Sequence, residues 1–296
     1  MSSDSHHRDT IFPGSLPVGI HPVAQHGVEL AQPSVLPFNL PIVPTPIPQK
    51  RIKQNVEACN AVLVLRESPW KTYEQFLELN FGTNQDMPIL RIKTVLPNDP
   101  DSSLAIMKNF SSYDQIRAIR RIEHPHFLTA LRIFHTESTY HVAFEFMPLS
   151  LLELAGSPEI DEDCLAAIVG QVLDGLSYLE REKLEHGQLT SSNILINLDG
   201  SVKIWGYEGV RVISSSRTDI RALGVIIMEL MQGYTKEDGA VGVDDLERWP
   251  SDFAAVDFLS ATTWASGVGQ LIEARLSSYN YTTMISCRLI WYSTHS

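Results

Sequence analysis

This sequence predicts an α+β fold, with a strand-rich first half and a mainly helical second half. Three observations carry that expectation. Between Leu184 and Glu208 two short apolar runs, 193–196 and 201–205, flank Asn197-Leu-Asp-Gly200, so the stretch reads as a buried hairpin around a tight turn. Residues 127–134 and 140–146 read as two antiparallel strands joined at Thr136-Glu-Ser138. Residues 161–183 place Leu165, Ile168, Val169, Val172, Leu173, Leu176 and Leu179 at helical spacing, behind an acidic start at Asp161, Glu162 and Asp163.

In chain order, residues 1–52 are rich in Pro, Ser and His. Pro41, Pro44, Pro46 and Pro48 favour extended backbone, so the segment reads as a disordered, Pro-rich tail. Globular patterning starts near residue 56. Residues 61–65 look like a strand, and 70–79 like a short helix or an irregular strand. Residues 88–95 look like the next strand, 97–103 a loop, and 113–122 a helix with Ile116, Ile119 and Ile122 on one side. Beyond the central hairpin, 219–231 reads as a helix. So does 254–262, with Ser251 as its expected cap, and a last short helix ends by residue 276. Residues 278–296 match no pattern.

Composition excludes several function classes. A net charge of −12 and a pI near 5.2 speak against nucleic acid or an anionic membrane as partner, since both need a positive footprint. Cys59, Cys164 and Cys287 are far apart and form no C-x-x-C pair, which argues against a zinc site or a disulfide framework. The N-terminus lacks a basic stretch followed by an apolar one, and no apolar run is long enough to span a bilayer. A soluble protein of cytosol or nucleus is the expectation.

The loop before the hairpin reads His186-Gly187-Gln188-Leu189-Thr190-Ser191-Ser192-Asn193, and the loop after it Gly206-Tyr207-Glu208. This resembles the catalytic core of the eukaryotic protein kinases, whose two loops read H-R-D-L-x-x-x-N and D-F-G. Further resemblances are His124-Pro-His-Phe127 to the segment after helix αC, Phe144-Glu-Phe-Met147 to the hinge, and 219–231 to helix αF. The resemblance implies a two-lobed kinase-like domain over 56–277. A small β-rich N-lobe would span 56–147 and a shortened helical C-lobe 148–277. His186 and Asp219 would be structural, with Asp219 anchoring the catalytic loop.

It also implies impaired chemistry. The base position is Gln188 and the metal-Asp position Gly206, so no catalytic residue is intact; Gln115 stands where the αC glutamate belongs. Lys93, Glu145, Met147 and Asn193 are the nucleotide-binding candidates. Lys93 falls in Leu90-Arg-Ile-Lys93, with Met107-Lys108 as the rival alignment. Gln115 could hydrogen-bond Lys93, and Glu208 could stand in as a metal acid. No metal site is expected. ATP is a candidate ligand, while the missing carboxylates argue against Mg²⁺. The implied role is that of a pseudokinase binding or regulating a protein partner; the alternative is weak or atypical Ser/Thr phosphotransfer.

Overall fold

Strand-forming sequence comes first along the chain and builds one six-stranded sheet. The computed structural model describes residues 62–92, 104–206, 209–213 and 217–278, all within the second of the chain's two units, Glu57–Ser296. Residues 1–52, expected to be a tail, and all but Ser278 of the unassigned 278–296 lie outside the described residues, as do Lys93 and Glu208.

Val64–Leu65 (β1) is a short edge strand, and a single turn at Pro69–Lys71 leads into Tyr73–Phe81 (β2). The chain reverses at Gly82 and returns as Asn84–Ile92 (β3). Leu104–Phe110 (β4), the helix Tyr113–Arg121 (α1), Ala130–Thr136 (β5) and Thr139–Glu145 (β6) complete this region. The strand order is β1-β5-β6-β4-β3-β2, antiparallel throughout except where β1 lies parallel to β5. In β4 the side chains alternate between faces. Ile106 joins the main core, while Ala105 and Met107 pack with Tyr73, Leu90 and Phe134 on the other face.

The strand beside β6 is β4, which pairs with it from Ala105 opposite Glu145 to Phe110 opposite Tyr140. Residues 88–92 are the return arm of the outer hairpin. The tight turn at Gly82-Thr83 demands a partner strand at once, and it takes the first apolar run it meets. The segment 70–79, expected as a short helix or an irregular strand, is irregular strand from Tyr73 on; bulges between Gln75 and Leu77 and between Leu79 and Phe81 break its alternation.

Helix α1 starts with a reciprocal cap. The Ser112 hydroxyl accepts the Asp114 N–H (3.2 Å), and the Gln115 side-chain oxygen accepts the Ser112 N–H (3.3 Å). In the following loop, His124 and His126 both approach Asp174, at 3.8 and 3.7 Å.

The helical region begins with Leu149–Ser150 (β7) and one turn at Leu151–Leu154, then Glu162–Arg181 (α2) runs through its centre. Asp161 caps α2, its Oδ1 accepting the Cys164 N–H at 2.7 Å. Leu184–Glu185 (β8), Ile194–Ile196 (β9), Val202–Ile204 (β10) and Arg211–Val212 (β11) follow. The strands β10-β9-β7 form one small sheet and β11-β8 another. Helix α2 lies close on β10: a methyl at Gly175 would sit 2.8 Å from Ile204 Cδ1.

Thr218–Gln232 (α3), Ala254–Trp264 (α4) and Val268–Ser278 (α5) finish the described chain. Ser251, the expected cap of α4, does not cap it. The helix starts from Phe253 without a side-chain cap, and Glu162 on α2 accepts the Ala255 N–H at 3.1 Å instead. The connection 233–253 carries no helix; Arg248 ties it down by donating to the carbonyls of Gly156 (3.3 Å) and Ile160 (2.9 Å). No described helix is long and apolar enough to cross a membrane.

Candidate functional site

The loop after β8 is held from beneath by one carboxylate. Asp219, in the first turn of α3 and only 8% exposed, accepts the N–H of His186 (2.7 Å) with one oxygen and that of Gly187 (2.9 Å) with the other. Charge-assisted bonds of this kind are strong local anchors. His186 is fully buried, and its Nε2 donates to the Trp205 carbonyl at 2.7 Å. The Ser191 hydroxyl donates to Glu229 on α3 (2.6 Å). The loop is therefore fixed to both the hairpin end and α3.

Asn193 closes the loop on itself. Its Nδ2 donates to the Gln188 carbonyl (2.8 Å), and its own carbonyl accepts the Trp205 N–H (2.7 Å). Gly206 comes next, with φ +92°. A side chain there would begin 3.1 Å from Asn193 Nδ2 and 3.2 Å from His186 Cε1. The backbone is left-handed, which glycine adopts freely, and a side chain here would make its neighbours give by a few tenths of an ångström. Gln188 is exposed. His186, Gln188, Asn193 and Gly206 thus meet at one place, with an amide and a glycine where acids would be needed for metal-dependent chemistry.

After Gly206 the chain turns back quickly. Gly209 N–H bonds the Gly206 carbonyl (3.0 Å), and β11 pairs with β8. Arg211 Nε donates to the buried Glu185 carboxylate at 2.7 Å.

Lys108, the rival to Lys93, lies on β4, the strand next to the hinge strand β6. Its Nζ lies 4.7 Å from the centre of the Trp205 ring. Strand β4 reads Ala105-Ile-Met-Lys108, so the small residue of the V-A-I-K pattern is Ile106, fully buried. The Gln115 side-chain oxygen is used in the cap of α1, and Lys93, its expected partner, lies outside the described residues. Glu145 is likewise committed elsewhere. Its carboxylate accepts the Thr129 N–H (2.6 Å) and pairs with Lys203 on β10 (2.7 Å). Met147 is 2% exposed and belongs to the core.

Two residues not singled out from sequence, Trp205 and Phe81, pack with Phe144 in the region between sheet and helices. Trp205 (1% exposed) meets Phe81 and Phe144 edge-on, each pair 6.1 Å between ring centres. The tip of the β2–β3 hairpin is bonded to the helical region: Glu153 accepts the Gly82 N–H (2.6 Å) and the Ser192 hydroxyl accepts the Thr83 N–H (3.1 Å). A tryptophan directly before Gly206 was the available signal for this packing.

The arrangement does not fit Mg²⁺. Gly206 has no side-chain oxygen, Gln188 offers only an amide, and no group of three or more His, Cys, Asp or Glu among the described residues is placed to hold a metal ion.

Fold and loops together define a class: a strand-rich region and a helical region joined by a hinge, with an anchored loop and a following hairpin between them. The model of the protein kinase domain family matches residues 105–217. A probable serine/threonine-protein kinase mkcC of Dictyostelium discoideum is 24% identical over 182 residues, 48% of this chain and 20% of that protein. A cyclin-dependent kinase-like 4 of Mus musculus is 25% identical over 134 residues, 44% of this chain and 39% of its own length. The dual specificity mitogen-activated protein kinase kinase 1 of Dictyostelium discoideum is 34% identical over 93 residues, 30% of this chain and 14% of that protein. Over residues 105–217 the chain is similar to the protein kinase domain family, and it spans well under half the length of these curated relatives.

Proposed function

We propose that this protein is a pseudokinase: a kinase-like domain that acts by binding or regulating a protein partner, without transferring phosphate. The observation that carries the reading is the pairing of Gln188 with Gly206. Phosphoryl transfer is mostly positioning and electrostatic stabilisation around a metal-bound nucleotide. A general base alone contributes about 10²–10⁴-fold, and an uncharged amide cannot take the proton. The glycine supplies no metal ligand, and at φ +92° Asn193 and His186 lie close against it. These losses act on one transition state and compound. The net charge of −12 favours a protein partner over nucleic acid or an anionic membrane.

A weak or atypical Ser/Thr phosphotransferase is the second reading. The lysine kept in β4, the retained Asn193 and the kinase names of the relatives favour it. Incubation of the purified chain with radiolabelled ATP and Mg²⁺ or Mn²⁺, alone and with a generic protein substrate, separates the two. We expect no label above the background of Lys108→Ala. Label that depends on Lys108 supports the second reading and removes the first.

A further inference from the structure

The place beneath the β2–β3 hairpin, between the hinge and the anchored loop, is where a kinase receives its nucleotide. We infer that in this protein the chain's own side chains occupy that place, so that sheet and helical region are held together without a nucleotide. This rests on the reading above and goes beyond it, since a pseudokinase can lose transfer and still bind ATP.

Four observations converge. Trp205, directly before the position of the metal acid, sends its indole into the interior, where it is 1% exposed. Phe81, at the end of β2, is 0% exposed and meets that indole edge-on from above; Phe144, at the end of β6, meets it from the hinge side. Lys108 Nζ lies 4.7 Å from the indole centre, so the cation sits over an aromatic face, an attraction that desolvation strengthens. Ile106, in place of the small residue that leaves room for a base, is fully buried in the same core.

The hairpin is fastened as well as filled. Backbone N–H groups at the tip of such a hairpin approach phosphate oxygens in an active kinase. Here the Gly82 N–H is bonded to a carboxylate oxygen of Glu153 (2.6 Å) and the Thr83 N–H to the Ser192 hydroxyl (3.1 Å). The other Glu153 oxygen accepts the Ser150 N–H (2.7 Å), so the acid is oriented by its own turn. An anionic side chain thus serves the donor that a phosphate would otherwise serve. A nucleotide would have to displace the indole and compete with Glu153 for the hairpin.

The test uses the full chain with ATP and ADP as probes, with and without Mg²⁺. Wild type is expected to show no thermal shift and no retention of nucleotide in equilibrium dialysis. Trp205→Ala should open the space and gain a shift of roughly 5–10 °C at 100-fold excess over Kd. Hydrogen exchange keeps the inference testable if that variant does not fold. The Gly82 and Thr83 amides of wild type should be protected without nucleotide and unchanged by it, and Glu153→Ala should release that protection. A nucleotide-dependent shift in wild type, or free exchange at Gly82 and Thr83, overturns the inference. Binding by wild type without labelled-phosphate transfer overturns it alone, whereas transfer overturns the pseudokinase reading.

Discussion

Asp219 shows how a single carboxylate can hold a whole loop in place. It satisfies two backbone N–H groups of a loop whose base is an amide, and it is buried while doing so. Asp219→Ala strands both donors, at about 1–3 kcal/mol each, and should lower unfolding stability by roughly 2–5 kcal/mol in a urea titration. Gly206→Asp restores the expected letter but places a Cβ at φ +92°, 3.1 Å from Asn193. It should cost on the order of 1–2 kcal/mol, and Gln188→Asp/Gly206→Asp should still incorporate no labelled phosphate. At this scale the sequence was most legible where spacing alone fixes a place: His186, Gln188, Asn193 and Gly206 do lie together. An apolar run ending in lysine occurs twice in the sequence; the run ending at Lys108 is the one paired with β6, and Lys93 lies outside the described residues. The roles of Glu145 and Gln115 were hidden from the sequence. Each has a backbone N–H as its partner, and no pattern of side chains announces such a bond.

Among the elements, α1 separates a structural task from a catalytic one. Gln115 sits at the third helical position and closes a reciprocal cap with Ser112. A glutamate there can make the same bond and adds a charge favoured by the helix dipole, worth about 0.3–1 kcal/mol at low salt. Gln115→Glu should therefore raise the melting temperature slightly and leave phosphotransfer absent. Helices and the inner hairpin were readable because their signals are local. α2 keeps a long apolar stripe with an acid at its cap, and β9–β10 brackets a turn of Asn, Asp and Gly. Strand β4 was missed because it is short, follows a loop, and runs straight into the Ser112 cap. The start of α4 was misassigned because its cap comes from Glu162, remote in sequence.

For the whole molecule, acid is the natural stress. Burial pushes the His124 imidazole below its ordinary value of 6.5, and the charges of His126 and Arg181 act the same way while Asp174 opposes them. Burial also lowers His141, whose ring is bonded by Asn109 (2.7 Å) and Thr136 (2.8 Å). In the unfolded chain both groups take a proton near 6.5, in the folded one only at lower pH. Their contribution is complete above that pH and lost as pH falls below it. The urea midpoint should drop between pH 7 and pH 5, and His124→Gln/His141→Gln should flatten that slope. The ion pair of Glu145 with Lys203 spans the hinge and β10, both side chains less than a third exposed. Lys203→Met leaves a half-buried carboxylate and should cost about 1–3 kcal/mol by thermal unfolding.

Gly82 is the one glycine between Gly27 and Gly156. Its φ is +55°, and a methyl group there would press on Ser192 and come within 2.7 Å of Leu152. An active kinase keeps glycines at this tip to draw near a phosphate; here the survivor draws near a serine and a leucine. Orthologous genes should accordingly keep this codon while its neighbours drift, and should let Ser192 and Leu152 vary only toward smaller residues.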